Sequence, residues 1–442
     1  MNPYALMIGG SMVVIVSYFF NHVSRKFKVP SVILLILMGF IIAQVLNAMS
    51  GTFSQDSMES ALPILGSVGL IMIVLEAALD LKIEQKNKKL MLSALYSSIL
   101  VLAVTAFLSA VVFVLFLGMP FYQSLLYAVP MSIMSSAIII PSVGGLLHQK
   151  KEFMIYESTL SDIIGVMFFL SILGVNGANG AGQVTGSIVR DLLVTAVATI
   201  LMGYGMIFIF QKLHKSIGLF FLLSILVAVF AAGKMLHVSS LLIIFFFGLL
   251  INNTNVFFFG KLKGMIKQEV FEDMYEQFKI VVEESAFLIR TFFFVLFGMS
   301  IKVGELANLQ VWIISVLLLI ILYGIRFLGL KLTTKNNTSP ELYIAPRGLI
   351  TILLISAIPE ELESTQFKEG VTLLIILVSC IVMMISLMKY KNPEEEHDLD
   401  HLPDDGDENK VIPDQTSTTS TVAPTEVVVS TSESGSEGDV KE

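Results

Sequence analysis

Residues 128–147 read AVPMSIMSSAIIIPSVGGLL, an apolar run with two prolines, a serine pair and a glycine pair. Proline lacks a backbone donor and breaks the hydrogen-bond ladder of a helix. Within lipid, the freed carbonyls need protein, water or a bound ion as partners. A second run, IAPRGLITILLISAIPE at 344–360, is interrupted by Pro346 and Gly348. Interrupted runs in comparable places of two halves predict an inverted-repeat membrane protein with its site at the breaks.

The composition supports a membrane protein. Of 442 residues, 55% are hydrophobic and 14% are charged, whereas soluble domains carry about 25% charged residues. A single cysteine, Cys380, excludes an intrachain disulfide, and the chain has no CxxC or HExxH motif. We therefore expect no enzyme activity, no cofactor and no nucleic-acid partner.

Long apolar runs predict an all-α polytopic fold of about thirteen transmembrane helices, including a pair of broken, crossing helices. A count of twelve also fits, because Gly233, Lys234 and His237 barely separate two runs. The predicted spans are 3–22, 30–48, 61–80, 89–117, 122–147, 154–174, 185–211, 216–233, 237–252, 284–301, 309–332, 342–360 and 370–389. Each break is followed by one more span, which predicts inverted repeats at about 3–174 and 216–389 and a linking helix at 185–211. Residues 253–283 are predicted to form an amphipathic helix on the cytoplasmic face.

The charges predict the orientation. The odd-numbered connections and the C-terminal flank hold 19 basic residues, and the even-numbered connections hold four. Because cytoplasmic loops carry the Lys/Arg excess, the N-terminus is predicted outside and the C-terminus in the cytoplasm. The transmembrane domain is predicted to occupy 1–391, in a plasma (inner) membrane. Residues 392–442 hold 15 acidic residues and two lysines, which predicts a disordered cytoplasmic tail, with or without a regulatory partner.

Six charged residues are the best embedded in the apolar runs, where an ionised side chain costs about 2.5–3.5 kcal/mol at mid-span. They are Glu76, Glu157, Asp162, Arg290, Arg326 and Arg347. The run MIYESTLSDIIG at 154–165 places Glu157 and Ser161, and also Ser158 and Asp162, one helical turn apart. Carboxylate and hydroxyl oxygens suit a hard monovalent cation, and a buried carboxylate can also take up a proton. A single carboxylate that accepts either a cation or a proton is sufficient for exchange of the two. The alternative is that these polar residues only hold neighbouring helices together.

The sequence resembles the monovalent cation:proton antiporters, the sodium/proton exchanger family, in its NhaP-like members. The ESTLSD hexapeptide at 157–162 is similar to the family's ESxxND signature. The resemblance extends along most of the membrane body but not to the tail. Further similar segments are FKVPS at 27–31, IVLEAALDLKIE at 73–84, FFFVLFGMSI at 292–301, LYGIRFLGL at 322–330 and APRGLI at 345–350.

The resemblance implies a role for several residues. Asp162 matches the aspartate that binds cation and proton alternately, and Ser158 matches a hydroxyl ligand of the cation. Glu157 matches the acid that pairs with the arginine at Arg326, a pairing also expected because two buried opposite charges each need a partner. Arg347 would compensate helix ends and carbonyls. The family architecture implies a homodimer in which a six-helix core moves against a dimerisation domain.

The site also departs from the family pattern. Ser161 stands where electroneutral members have asparagine and electrogenic members have aspartate, and Ser135 and Ser136 stand where the family has TDP. The serine pair is similar to the potassium-efflux branch, so Na+, K+ and Li+ all stay open. We expect Asp162, Ser158, Ser161, Ser135 and Ser136 to bind the cation or proton. The break is expected to be supported by Arg347, Pro141 and Gly348.

The leading hypothesis is a secondary antiporter that exchanges Na+, or K+ or Li+, for H+ by alternating access across the lipid bilayer, a function suited to pH homeostasis. One titratable group at the site predicts electroneutral exchange. A sodium-coupled organic-anion transporter of similar fold is an alternative. A cation channel or a membrane sensor is another, but no repeated filter and no folded output domain is visible in the sequence.

Overall fold

The computed structural model describes residues 3–27, 29–50, 61–83, 87–174, 197, 201, 204–205, 218–235, 240–257, 268–301, 303–333 and 338–390. Over these residues it is helical and contains no strand, which confirms the predicted all-α class. Most of the predicted linking helix at 185–211, and the acidic tail, lie outside the described residues. The helices are α1 Pro3–Phe27, α2 Ser31–Ser50, α3 Ala61–Asp80, α4 Lys88–Leu117, α5 Phe121–Ser132, α6 Ser136–Ser142, α7 His148–Gly174, α8 Gly218–Met235, α9 Ser240–Asn252, α10 Thr254–Phe257, α11 Gln268–Ser300, α12 Val303–Leu306, α13 Leu309–Thr333, α14 Leu349–Ser356 and α15 Glu369–Lys389.

Seven stretches of the described helices are long and apolar enough to cross a membrane by length and composition. They are Met7–Ser24, Ser31–Ala48, Lys88–Leu117, Phe121–Ser142, His148–Leu173, Leu309–Thr333 and Glu369–Lys389. The protein is therefore an integral membrane protein by this criterion.

The helices pack as two bundles. Helices α1, α2, α3, α8, α9 and α11 form the first bundle, and α4, α5, α6, α7, α13, α14 and α15 form the second. The bundles meet mainly where α3 packs against α14, α7 and α6, and where α11 packs against α14. The two interrupted segments and the ESTLSD run all lie in the second bundle, beside this junction.

Close backbone packing joins α2 to α11 in the first bundle. A Cβ atom at Gly39 would overlap the carbonyl of Val295, and one at Gly298 would overlap the carbonyl of Ile36. Small residues let transmembrane helices approach in this way. The glycine of the FFFVLFGMSI segment therefore has a packing role.

The predicted boundary at residue 283 is wrong. Helix α11 runs without a break from Gln268 to Ser300, 33 residues or about 50 Å at 1.5 Å per residue. Residues 268–300 contain neither proline nor a glycine before Gly298, so no residue in the interior of the helix stops it. From Gln268 onward, the amphipathic stretch and the span are therefore one helix.

The breaks also differ in detail from the sequence expectation. The first break lies at residues 133–135, between α5 and α6, while Pro130 and Pro141 both lie inside helices. The second segment has one regular helix, α14, which follows an irregular stretch at 338–348. Pro346 and Gly348 both lie in that stretch, immediately before α14.

Candidate functional site

The two interruptions touch each other inside the second bundle. The backbone N–H of Ser135 donates to the carbonyl of Pro346 at 3.0 Å. A Cβ atom at Gly348 would lie 2.7 Å from Ser135 Oγ, so glycine is needed for this approach. Both residues are buried. The hydrogen bond between the two irregular segments therefore satisfies one backbone donor and one backbone acceptor that lipid could not satisfy.

Helix α7 presents its polar residues to the first break. Asp162 Oδ2 accepts a hydrogen bond from the Ser136 backbone N–H at 3.1 Å. Ser161 Oγ accepts one from the Met134 backbone N–H at 3.1 Å. Donors freed by the interruption are thus taken by the two residues that end the ESTLSD run.

Three buried side-chain oxygens on residues 133–135 and α7 have no hydrogen-bond partner among the described residues. They are Asp162 Oδ1, Ser135 Oγ and Thr159 Oγ1. Ser158 is fully buried, and its hydroxyl donates to the carbonyl of Ile155 at 3.3 Å. Burying a polar atom without a partner is costly. Asp162 Oδ1, Ser135 Oγ and Thr159 Oγ1 are therefore buried oxygens whose capacity to accept a hydrogen bond or coordinate an ion is unused among the described residues.

Arg347 binds the carbonyls on both sides of the crossing. Its guanidinium donates to Met131 O at 2.8 Å, Ser132 O at 3.2 Å and Ala345 O at 2.9 Å. Its backbone N–H donates to Ser379 Oγ at 3.0 Å. The first two carbonyls end α5, where the macrodipole is negative. The buried Arg347 thus supplies the hydrogen-bond donors that the next turn of α5 would have supplied.

Glu157 and Arg326 meet as a fully buried ion pair. Arg326 Nη2 lies 2.9 Å from Glu157 Oε2, and the side chains are 1% and 0% exposed. The other carboxylate oxygen of Glu157 accepts a hydrogen bond from Ser97 Oγ at 2.5 Å. Arg326 also donates to the main-chain carbonyl of Glu341 through Nε at 3.0 Å and Nη2 at 2.8 Å. Both charges therefore have several partners, as a buried pair requires.

Glu76 and Arg290 form a second intramembrane pair, 3.0 Å apart, at the junction of the bundles. Arg290 Nη1 also donates to the carbonyl of Ala137 at 3.4 Å. That carbonyl is four residues before Pro141, which has no N–H to offer it. The pair thus links α3 and α11 of the first bundle to α6 of the second.

Sequence reasoning placed four of these charged residues near the breaks or in a pair, but it missed several partners. Ser97, Ser379 and the carbonyl of Glu341 carry no motif. The sequence indicated the Glu76–Arg290 pair only weakly. Three acids and three arginines are embedded in the apolar runs, and their equal numbers alone do not show which acid meets which arginine. Among the described residues, no group of three or more His, Cys, Asp and Glu side chains forms a metal cluster.

Comparison with known proteins identifies the family. The family model for the transmembrane domain of sodium/hydrogen exchangers matches residues 11–389. The chain belongs to the sodium/hydrogen exchanger family. Its members are cation:proton transporters rather than enzymes and need no cofactor. The resemblance drawn from the ESTLSD, IRFLG and PRGLI segments is thereby confirmed.

Solved structures support the fold. The chain is similar to the sodium/proton antiporter MjNhaP1 of Methanocaldococcus jannaschii at pH 8, with a TM-score of 0.66, 18% identity and coverage of 88% of this chain and 99% of that one. An electron-microscopy structure of the same antiporter gives a TM-score of 0.62 at 18% identity, covering 88% of this chain and 95% of that one. No curated protein sequence matches the chain. At 18% identity, the similarity to these structures shows the fold alone.

Proposed function

We propose that this exchanger transports a monovalent cation, with Na+ as the first candidate, against H+ by alternating access, and that Asp162 binds the two in turn. The observation that supports this most directly is the state of the Asp162 carboxylate. One of its oxygens is held by the Ser136 N–H, and the other is buried without a partner among the described residues.

An ionised carboxylate in that position carries an unfavourable desolvation cost. A proton removes the cost by neutralising the group, and a dehydrated cation removes it by coordination. One oxygen pair cannot hold both at once. Mutually exclusive occupancy of a single carboxylate couples the two fluxes, with hydroxyls such as those of Ser135 and Ser158 completing the oxygen ligands.

The bundles suggest which parts move. Asp162 and both breaks lie in the second bundle, whose contacts with the first are few compared with those inside each bundle. A rigid-body movement of the second bundle past α3 and α11 would carry Asp162 between the two sides of the membrane. The proposal includes a homodimer formed through the first bundle, residence in a plasma (inner) membrane and a role in pH homeostasis. It also includes an external N-terminus, inverted repeats at about 3–174 and 216–389, and a cytoplasmic acidic tail able to bind a regulatory partner.

Cation-dependent proton flux tests the proposal. Purified protein in proteoliposomes that contain a pH-sensitive dye should move protons when NaCl is added outside, and the initial rate should saturate with concentration. LiCl and KCl, added separately, rank the cations. Choline chloride is the matched control for osmotic and chloride effects. If none of the three cations produces more flux than choline, the proposed function is wrong.

Exchange is expected to be electroneutral, one cation for one proton. Glu157 is paired with Arg326 and Glu76 with Arg290, arginine keeps its proton, and Ser161 does not titrate. Among the described carboxylates embedded in the membrane helices, Asp162 is then the one left to cycle, so we expect no net charge to cross. Sodium/proton exchange in proteoliposomes whose potential is clamped with potassium and valinomycin should proceed at the same rate at every imposed potential.

The control for that measurement is a liposome with valinomycin but no protein, which reports the proton leak at each potential. A leak-corrected rate or end point that shifts with the potential would show that a second charge moves in the cycle.

A further inference from the structure

The position of Arg326 depends on a segment outside the helices. A guanidinium has five N–H donors. Glu157 accepts one hydrogen bond from Arg326, and the main-chain carbonyl of Glu341 accepts two. The sulfurs of Met134 and Met154 accept one each. Glu341 lies in the stretch of turns at 338–348, where its carbonyl also accepts a hydrogen bond from the Ile344 backbone N–H at 3.2 Å.

A salt bridge attaches this stretch to α7. Lys150 Nζ lies 2.7 Å from each carboxylate oxygen of Glu341 and donates to the carbonyl of Ser339 at 2.8 Å. The two side chains are only 20% and 11% exposed. Lys150 belongs to α7 and precedes Glu157 by seven residues, which is two helical turns along one face. Helix α7 carries Glu157. Through Lys150 it also holds the segment whose carbonyl binds Arg326, the partner of Glu157.

We propose that Lys150 and Glu341 are positioning residues for exchange: they fix the Glu341 carbonyl on Arg326 and thereby keep Arg326 against Glu157. The inference rests on the proposed function, because it concerns the electrostatic attraction of the cation to Asp162. Glu157 directly precedes Ser158 and lies five residues from Asp162 on the same helix. While Arg326 neutralises Glu157, Asp162 is the carboxylate of the ESTLSD run that has no salt bridge among the described residues, and it is the one presented to the cation. When Arg326 is displaced, the negative charge of Glu157 adds to that of Asp162 in attracting the cation.

The consequence is a specific change in kinetics. Extra negative charge beside the site binds the cation more tightly and releases it more slowly. Loss of the Lys150–Glu341 salt bridge should therefore lower KM for sodium and lower kcat together. We expect KM to fall about tenfold, which corresponds to about 1.4 kcal/mol of added attraction for the cation.

The experiment measures KM and kcat for sodium-driven proton flux in proteoliposomes, normalised to correctly folded protein. Lys150→Met and Glu341→Gln should both lower KM and kcat. Lys150→Arg keeps the charge and should stay near the wild-type values. Lys151→Met is the matched control, since it removes a neighbouring positive charge on the same helix, and it should leave both constants unchanged. Exchanging the two residues, Lys150→Glu with Glu341→Lys, should recover part of the wild-type KM.

A fall in kcat alone, with KM unchanged in both variants, would mean that the salt bridge only maintains the fold and would overturn the inference. Wild-type constants in both variants would overturn it too. Wild-type protein without any exchange would instead refute the proposed function. The measurement on the wild-type protein therefore distinguishes a failure of the proposed function from a failure of the positioning role.

Discussion

Asp162→Asn is expected to abolish cation-dependent proton flux. The substitution keeps the size of the side chain and its contact with the Ser136 N–H, but it removes the charge that attracts the cation and the oxygen that takes the proton. Because Glu157 and Glu76 are committed to arginines, neither should replace the lost carboxylate. Flux in proteoliposomes should fall to the level of protein-free liposomes, while the protein elutes from gel filtration as the wild type does.

Glu152→Gln provides the matched control for this loss. Glu152 lies on the same helix, ten residues earlier, and pairs with His148 at 3.2 Å and with Asn87. Removing its charge should leave exchange close to the wild-type rate. An Asp162→Asn protein that still exchanged sodium for protons at the wild-type rate would show that the cation binds elsewhere.

The second large effect is expected at the buried ion pair. Glu157→Gln and Arg326→Gln should each destabilise the protein in detergent by about 3–5 kcal/mol, because each leaves one buried charge without its counter-ion. Thermal unfolding monitored by fluorescence or by gel filtration after heating gives the change. The double variant should be less destabilised than the sum of the single variants, since neither charge is then left alone.

The comparison pair is Asp80 and Lys279, which lie 2.9 Å apart but have side chains 23% and 32% exposed. Breaking this partly exposed pair should cost only about 0–1 kcal/mol. Equal costs for the two pairs, or strict additivity at Glu157 and Arg326, would show that burial does not strengthen the inner pair.

Local sequence features were sufficient for the membrane fold and for part of the site. Apolar runs of span length can only be helices in lipid, because every backbone group must be satisfied within the segment. Proline and glycine interrupt those helices for reasons carried by the residues themselves. The four-residue spacing of Ser158 and Asp162 places them on one stripe of α7. The buried pairing of Glu157 with Arg326 was expected from charge cost and from family resemblance.

The precise break and the partners of the charges were decided by the tertiary structure. The interruption falls at 133–135 rather than at either proline, because Met134, Ser135 and Ser136 gain partners from Ser161, Pro346 and Asp162. Those partners come from other parts of the chain. The uninterrupted α11 shows the reverse case, in which a change of composition at residue 283 does not end a helix.

The sequence by itself determined that this protein crosses a membrane, that two of its apolar segments are interrupted and that an acidic pair lies on one helix. Only the tertiary structure decided that Arg347 binds the end of α5, that Arg290 joins Glu76 to the Ala137 carbonyl and that Lys150 holds the segment behind Arg326. The physical reason is that transmembrane helices are apolar on every side, so hydrophobic periodicity does not reveal which face meets which neighbour. The rotation and depth of each helix, set by packing across the bundles, determine which charges meet.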